Sequence, residues 1–331
     1  MVLVGNPNTG KTTVFNALTG SNARVGNYPG ITVERRVGTL KLGRGEGVEG
    51  AGPDAADVLD APGSYSLTAR SPEEQIAINA ALGLDDNPEP QLVVPVIDAG
   101  QLIRNLYLIL QLVELRVPLV IALNMIDEVA DNPPDPVAIS QWLGVPCIAT
   151  NGRSGAGIDE LRRQITDALT HPPRSSLVVP YPAELERDAD QIVSALPDAW
   201  RGDPARDRAL AIWALASIDE NVRLRGIPPE LRARCLQLQA AAADRDLDSE
   251  IIGSRYALLD SVSTTLLAHP DAHPPKRQTS ERIDRVLLHP VLGFSIFIGL
   301  MLMLFNALFS WSHPMISAVE PLEMASLPSF G

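Results

Sequence analysis

The chain has 331 residues, of which 45% are hydrophobic and 20% charged, and its formal net charge is -13. This composition excludes a disordered chain, and the negative charge argues against a duplex nucleic-acid binder, because phosphates are neutralised by a concentrated basic surface. A single core rarely serves more than about 250 residues, so we expect two domains. The two cysteines, Cys147 and Cys235, suit a reducing compartment, and we expect both to be buried thiols.

Short apolar runs alternate with helical patterns over residues 1–170, which predicts an α/β domain with a parallel sheet flanked by helices. The predicted strands cover 2–4, 37–42, 57–60, 92–97, 119–124 and 145–149. The predicted helices include 11–19, 101–115 and 157–169. Residues 43–56 are glycine-rich and polar, which favours a hairpin tip between two strands.

A glycine-rich turn follows the first predicted strand and opens the first predicted helix. It reads Gly5-Asn6-Pro7-Asn8-Thr9-Gly10-Lys11-Thr12, with Thr13 next, and matches the phosphate-binding pattern G-x-x-x-x-G-K-[ST]. In such a loop the backbone amides wrap a phosphate, the helix N-terminus adds positive potential, and Lys11 reaches the β and γ phosphates. The Thr12 hydroxyl is the expected Mg²⁺ ligand. Taken alone, the pattern leaves open a fortuitous glycine-rich turn.

Two further motifs end later strands. Asp60-Ala61-Pro62-Gly63 has the form D-x-x-G, in which Asp60 is expected to hold the magnesium shell and the Gly63 amide to contact the γ-phosphate. Asn124-Met125-Ile126-Asp127 has the form N-x-x-D, and its carboxylate can accept both N–H groups of the guanine edge, which adenine does not offer. A single N-x-x-D is usually a turn or a helix cap. In this order after a phosphate-binding loop, the motifs predict GTP rather than ATP.

Two more segments are expected to touch the nucleotide. The stretch Gly30-Ile31-Thr32-Val33-Glu34 lies between the P-loop and Asp60. A threonine there can close over the nucleotide and ligate Mg²⁺ when the γ-phosphate is present, which predicts an order–disorder switch; the alternative is a glycine-rich surface loop. Thr150-Asn151 follows a predicted strand and is expected to back the guanine ring with its amides. The expected Mg²⁺ ligands are thus Thr12, Thr32 and Asp60.

The position after the D-x-x-G motif predicts slow chemistry. Ras-like GTPases place there a glutamine that orients the attacking water, whereas this chain has Ser64. We therefore expect hydrolysis to be slow or to depend on another cation. The arginines near the predicted switch segments are expected to be solvated rather than to act as catalytic fingers; they are Arg24, Arg35, Arg36 and Arg70.

The second half of the chain changes character. Residues 171–270 carry amphipathic segments at 206–216 and 229–243, which predicts a small all-α domain, and 271–288 is expected to be a proline-rich linker. About twenty residues without a charge follow, so we predict one transmembrane helix at 289–312, with a buried core helix as the alternative and a truncated segment at 313–331. Basic residues precede this stretch and none follows it, which places the preceding domains in the cytoplasm.

Several segments together resemble the N-terminal G domain of the FeoB family of ferrous-iron transporters. They read GNPNTGKTTVFNALTG, VGNYPGITVE, DAPGSYSL, DAGQLIRNLYLILQLVEL and ALNMIDE, and they cover most of residues 2–170. The helical region is similar to that family's accessory domain, described as a guanine-nucleotide dissociation inhibitor, and HPVLGFSIF resembles the start of its first span. Thr150-Asn151 departs from the Ser-Ala or Ser-Thr that the family usually has there.

The resemblance implies a Ras-like P-loop GTPase sheet and a Mg²⁺-dependent hydrolysis of GTP to GDP that K⁺ stimulates. It links the K⁺ to Asn8, and the expected catalytic residues are Asn8, Lys11, Thr32 and Gly63. It further implies a bacterial inner-membrane protein in which the nucleotide state gates an Fe²⁺ permease whose other spans lie outside this chain. Small accessory proteins of iron transport and further copies of the chain are expected partners. The alternative function is a membrane-tethered regulatory GTPase that transports nothing.

Overall fold

The computed structural model describes 1–20, 23–27, 34–42, 54–68, 72–83, 88–129, 133–219, 226–242, 244–266, 289 and 291–324, with the side chains of 27, 72, 73 and 309–324 left out. The chain divides into two compact units, Met1–Ala272 and His273–Gly331. Both cysteines are buried free thiols, as expected. Burial is the main reason that the pKa of the Cys147 thiol is raised to about 12.

The first unit is built on a mixed sheet. Among the described residues the strand order is β2-β3-β4-β1-β5-β6-β7. The strands are β1 (Val2–Val4), β2 (Arg24–Asn27), β3 (Glu34–Lys41), β4 (Ala55–Asp60), β5 (Val93–Asp98), β6 (Ile121–Asn124) and β7 (Cys147–Ala149). The run from β4 to β7 is parallel, whereas β2 and β3 are antiparallel to their neighbours. The predicted α/β sheet is therefore confirmed.

Helices cover both faces of this sheet and continue beyond it. They are α1 (Lys11–Thr19), α2 (Pro72–Leu82), α3 (Leu102–Glu114), α4 (Pro136–Leu143), α5 (Ile158–Thr170), α6 (Ala183–Val193), α7 (Pro204–Ser217), α8 (Pro229–Ala241) and α9 (Leu247–Leu266) in the first unit, and α10 (Leu292–Met324) in the second. Short 3₁₀ helices lie at Ala99–Gln101 and Ile126–Val129. The predicted segments at 206–216 and 229–243 correspond to α7 and α8.

The alternation of side chains along the central strands builds two cores. Val2 and Val4 of β1 point into the core that contains α2 and α3, whereas Leu3 points into the core beneath α1 and α5. Every residue of β5 is buried, as a strand covered on both faces requires. Because both faces are packed, the carboxyl edge of the parallel strands is where loops can gather functional side chains.

β2 was not predicted as a strand. Its sequence, Arg24-Val-Gly-Asn, has no apolar alternation, and it is ordered by antiparallel pairing with β3, for example Val25 opposite Arg36. β3 and β4 pair antiparallel, as the predicted hairpin requires. Residues 43–53 of its predicted tip lie outside the described residues. Sequence propensity alone does not find a strand that depends on a partner.

The helices of 183–266 pack on α3 within the same compact unit. The Arg255 guanidinium of α9 donates through Nε to Glu114 Oε2 of α3 at 2.8 Å, and both side chains are almost fully buried. The Tyr181 hydroxyl donates to Glu114 Oε1 at 2.7 Å. Burial first, and then the charge of Glu114, raise the pKa of Tyr181, which keeps this hydroxyl a donor. The division into domains at 1–170 and 171–270 stays a prediction.

The last helix, α10, overlaps the predicted transmembrane segment at 289–312, which stays a prediction. Among the residues that the structure describes, no helix is long and apolar enough to cross a membrane. The helix itself continues past residue 312 to Met324, and the linker at 271–288 lies outside the described residues.

The buried pair predicts a large loss of stability when one partner is removed. We expect Arg255→Met to lower the free energy of unfolding by about 3–5 kcal/mol, because it leaves the Glu114 carboxylate buried without its cation. Arg187→Met is the matched control, since Arg187 pairs with Glu184 on the surface at 3.6 Å, and it should cost below about 1 kcal/mol. Urea unfolding measures the stability of both variants. Equal losses would contradict the stabilising role of the buried Glu114–Arg255 pair.

Candidate nucleotide-binding site

The P-loop joins β1 to α1 at the carboxyl edge of the sheet. Gly10 caps α1 in the left-handed conformation, with φ 76°, and Asn8 also has a positive φ of 66°. A Cβ at Gly10 would lie 2.3 Å from Asn124 Nδ2, so only glycine fits both the backbone and the space. The loop therefore turns tightly and presents the N-terminus of α1.

A buried ion pair between Lys11 and Asp60 joins the P-loop to the D-x-x-G motif. The Lys11 ammonium donates a hydrogen bond to Asp60 Oδ1, and the Thr12 hydroxyl donates to Asp60 Oδ2 at 3.1 Å. Lys11 is 9% exposed and Asp60 6% exposed. Because two charges in this surrounding are stable only when paired, the pair fixes the end of β4 against the start of α1.

The residues after Asp60 lie against the same loop. A Cβ at Gly63 would be 3.1–3.2 Å from three atoms of Pro7, so the backbone at 63 packs closely on the P-loop. The Ser64 N–H donates to the Gly5 carbonyl at 3.0 Å. The Ser64 hydroxyl donates to the carbonyl of Ser66. Ser64, which stands at the position of the glutamine in Ras-like GTPases, thus makes its side-chain hydrogen bond within its own loop.

Asn124 connects the N-x-x-D motif to the P-loop. Its Nδ2 donates to the Thr9 carbonyl at 2.9 Å, and its Oδ1 accepts from the Gly152 N–H at 3.0 Å. Met125 has a positive φ of 61°, after which a 3₁₀ turn carries Asp127. The Asp127 side chain is exposed, and within the described residues it has no hydrogen-bond partner. Its carboxylate therefore remains available to a ligand.

The loop at Thr150-Asn151 is held from within. The Thr150 N–H donates to the Leu123 carbonyl at 2.7 Å, and the Asn151 N–H donates to the Ala156 carbonyl at 2.9 Å. The Asn151 side chain accepts from the amides of Arg153 and Ser154. In this structure the loop supports Asn124; its predicted contact with guanine stays a prediction.

The remaining predicted residues are distributed around this centre. Asn6 and Thr9 are buried in the P-loop, and both polar side-chain atoms of Asn6 lack a partner among the described residues. Glu34 is exposed and pairs with Arg36 at 2.6 Å. Ala61 is buried, Pro7, Pro62, Met125 and Ile126 are half-buried, and Thr13 is exposed on α1. Gly30, Ile31, Thr32 and Val33 lie outside the described residues, so the role of Thr32 stays a prediction.

Sequence reasoning missed Asp98, which ends β5 directly opposite Asn124 of β6. Its buried carboxylate accepts from the Gly100 N–H at 2.8 Å and from Gln101 Nε2 at 3.1 Å. These bonds hold the turn beside Asn124. The available signal was an aspartate at the end of a fully apolar strand followed by Ala-Gly, which is a pattern of capped turns.

The donor set at the P-loop fits Mg²⁺. Thr12 and Asp60 bring a hydroxyl and a carboxylate oxygen together, and hard oxygen ligands are those that Mg²⁺ takes beside phosphate and water. Elsewhere in the described part of the chain, no group of three or more His, Cys, Asp or Glu side chains could hold a metal ion.

The fold and the three linked motifs define a P-loop G domain. A family described as "Ferrous iron transport protein B" matches residues 1–165. The cytosolic domain of L. pneumophila FeoB has a TM-score of 0.65 at 30% identity, over 80% of this chain and 98% of that chain. A GDP-bound mutant of the S. thermophilus FeoB G-domain has a TM-score of 0.62 at 31% identity, with the same coverage.

Full-length relatives agree with the solved structures. The Fe(2+) transporter FeoB of Salmonella typhimurium is 34% identical over 319 residues, which is 92% of this chain and 37% of the relative. A fusion of Fe(2+) transport protein A with FeoB from Porphyromonas gingivalis is 33% identical over 93% of this chain and 36% of the relative. The chain thus spans little more than a third of the curated relatives it matches, and it belongs to the FeoB family.

Gly10 gives a test of the loop geometry. Gly20 has nearly the same left-handed backbone, φ 68°, but nothing lies within 4 Å of an added Cβ. Gly20→Ala should therefore cost only the backbone strain of about 1–2 kcal/mol in unfolding free energy. Gly10→Ala should cost clearly more, because its methyl also displaces Asn124. Urea unfolding of the two variants measures both losses. An equal loss of stability would contradict the close approach of Asn124 to Gly10.

Proposed function

We propose that this chain binds guanine nucleotides, hydrolyses GTP slowly with Mg²⁺, and serves as the nucleotide-dependent module of an Fe²⁺ transporter. The observation that carries the proposal is the convergence of three motifs that lie far apart in sequence. Asp60 contacts Lys11 and Thr12, and Asn124 contacts Thr9. The three motifs to which we assign phosphate, magnesium and base binding therefore share one edge of the sheet.

The phosphate end of the proposed ligand belongs to the P-loop. The Lys11 ammonium would transfer from Asp60 toward the β and γ phosphates, and the N-terminus of α1 adds favourable potential for an anion. Thr12 and Asp60 would hold Mg²⁺, which neutralises developing phosphate charge when it is bound. Thr32 is proposed to join them in the GTP state, and the Gly63 amide to contact the γ-phosphate.

The base end of the proposed ligand belongs to Asp127. A carboxylate that accepts two N–H groups of guanine finds no such pair on adenine, so a wrong base would leave it unpaired. Asn124 does not need to touch the base for this selectivity. Its bonds to Thr9 and Gly152 fix the strand end from which Asp127 extends.

Slow hydrolysis follows from the group that is missing after Gly63. The Ser64 hydroxyl is bonded to Ser66, so no side chain at this position orients the attacking water. We propose that K⁺ supplies positive charge at the phosphates through Asn8, as the family resemblance implies. The exposed loop position and left-handed backbone of Asn8 are compatible with a side chain that reaches a ligand.

The transport role is proposed from the family. Full-length relatives are named as Fe(2+) transporters, and one is fused to Fe(2+) transport protein A, which supports a small accessory protein as partner. The L. pneumophila relative is described as a cytosolic domain. We propose that this chain lies on the cytoplasmic side of the inner membrane and that its nucleotide state gates a permease formed by further parts of the transporter.

Asp127→Asn tests guanine recognition. The amide presents a donor where the guanine edge also donates, so GTP affinity should fall about tenfold or more while xanthosine triphosphate gains. Its exposed neighbour provides the control Glu128→Gln, which removes one charge and should change neither affinity. Calorimetric titration with both nucleotides gives the ratio of the affinities for GTP and xanthosine triphosphate. A preference for GTP that survives in Asp127→Asn would rule out this residue as the base reader.

Asn8→Gly tests the proposed K⁺ dependence. Glycine keeps the positive φ at low cost but removes the amide, so GTP hydrolysis that is faster in K⁺ than in Na⁺ should become equal in the two salts. Asn16→Ala on the exposed side of α1 is the control and should keep the wild-type ratio. Initial phosphate release in matched salts is the measurement. Persistence of the K⁺ stimulation in Asn8→Gly would exclude Asn8.

A further inference from the structure

Both oxygens of the Asp60 carboxylate are engaged in this structure. Oδ1 accepts from the Lys11 ammonium, and Oδ2 accepts from the Thr12 hydroxyl at 3.1 Å. Both charged side chains are buried, so water screens them little. A divalent cation that approaches this carboxylate meets the ammonium there, and the two positive charges repel each other. The carboxylate that we assign to Mg²⁺ is therefore closed to a cation while Lys11 stays in place.

Of the two partners in this ion pair, only the Lys11 side chain is free to move away. Asp60 lies in β4, where it pairs with Leu3 of β1 on one side and with Arg36 of β3 on the other. The next N–H, that of Ala61, donates to the Leu3 carbonyl at 3.0 Å. The Lys11 ammonium, in contrast, stands at the end of a flexible four-carbon stem. The pair can thus open by a swing of one side chain, without any change of the sheet.

The P-loop keeps its shape through contacts that do not involve the Lys11 ammonium. Asn124 Nδ2 donates to the Thr9 carbonyl at 2.9 Å, and the Thr9 hydroxyl donates to the Asn6 carbonyl at 3.0 Å. A phosphate can therefore enter a loop that is already formed. Its negative charge then competes with Asp60 for the ammonium.

The simpler role for this ion pair is structural, since it joins β4 to α1. The position of Thr12 favours more than that. Its hydroxyl gives its hydrogen to Asp60 Oδ2 and keeps its lone pairs, so it can ligate a cation while this hydrogen bond persists. A hydroxyl and a carboxylate suited to Mg²⁺ are thus already in contact, and departure of the ammonium is the one change that makes them available.

We propose that Lys11 keeps Asp60 closed to divalent cations in the nucleotide-free protein, so that the diphosphate of GDP binds first and Mg²⁺ second. This inference rests on the proposed function. The diphosphate draws the ammonium away, and the freed carboxylate and the Thr12 hydroxyl become available to the cation. The same competition works in reverse: without a cation, Asp60 opposes GDP binding, because it holds the lysine that the phosphates need.

Asp60→Asn tests this competition, because it removes the charge and keeps the shape. The matched control is Asp57→Asn, which removes the same charge from an exposed position of β4. GDP is titrated calorimetrically into the whole chain in EDTA and in Mg²⁺. In EDTA, Asp60→Asn should bind GDP about three- to tenfold more tightly than Asp57→Asn, because Lys11 has lost its charged competitor. Mg²⁺ should then tighten GDP binding by the control and the wild type, but hardly by Asp60→Asn.

A second measurement uses Mn²⁺, which takes the same oxygen ligands and is followed by electron paramagnetic resonance. Without nucleotide, the wild-type chain should not bind Mn²⁺ through Asp60. Lys11→Met should gain a Mn²⁺ site, and adding Asp60→Asn to it should abolish that site. Unfolding curves verify that the variants are folded, and the GDP titration of Asp60→Asn stands even if Lys11→Met does not fold.

Three results would overturn the inference. They are equal GDP affinities of Asp60→Asn and Asp57→Asn in EDTA, wild-type GDP binding that occurs only with Mg²⁺, and nucleotide-free Mn²⁺ binding by the wild type that Asp60→Asn removes. Each would leave the ion pair with a structural role alone. A wild-type chain that binds GDP in neither buffer would instead refute the proposed function, which is a distinguishable result.

Discussion

The buried ion pair between Lys11 and Asp60 is the constraint on which the candidate site depends. Each charge would be expensive to bury alone, so the pair forces the start of α1 and the end of β4 together. The side-chain amide of Asn124, at the end of β6, then joins this strand to the P-loop by donating to the Thr9 carbonyl. The same groups that stabilise the carboxyl edge are those that a phosphate and a cation would engage. A nucleotide bound as we propose would compete with Asp60 for Lys11, and it would thereby act directly on the residues that begin with the D-x-x-G motif.

The sequence predicted the parts of the site whose chemistry is local. The P-loop pattern required a strand before Gly5 and a helix from Lys11, and both are present. The spacing of apolar runs predicted the parallel strands, because residues buried on both faces are recognisable without knowing their neighbours. Asp60 and Asn124 meet the P-loop because the carboxyl ends of parallel strands share one edge.

Features that depend on distant partners were not predictable from the sequence. β2 becomes a strand only through its pairing with β3, and Trp213 finds Leu67 across 146 residues of sequence. The Glu114–Arg255 pair likewise joins α3 to α9 without any local pattern. Glu114 appears in the sequence as one charge in an apolar helix, and its partner is decided only by tertiary packing. These contacts between the G domain and the helices beyond residue 183 are thus visible only in the folded chain.

We propose above that Lys11 holds the phosphates of a guanine nucleotide at this edge of the sheet. Calorimetric titration of GDP in Mg²⁺ buffer with Lys11→Met and with the exposed control Lys41→Met tests it most directly, with unfolding curves to verify that both variants are folded. We expect folded Lys11→Met to lose tight GDP binding, whereas Lys41→Met should bind as the wild type does. A folded Lys11→Met variant with wild-type affinity would contradict it.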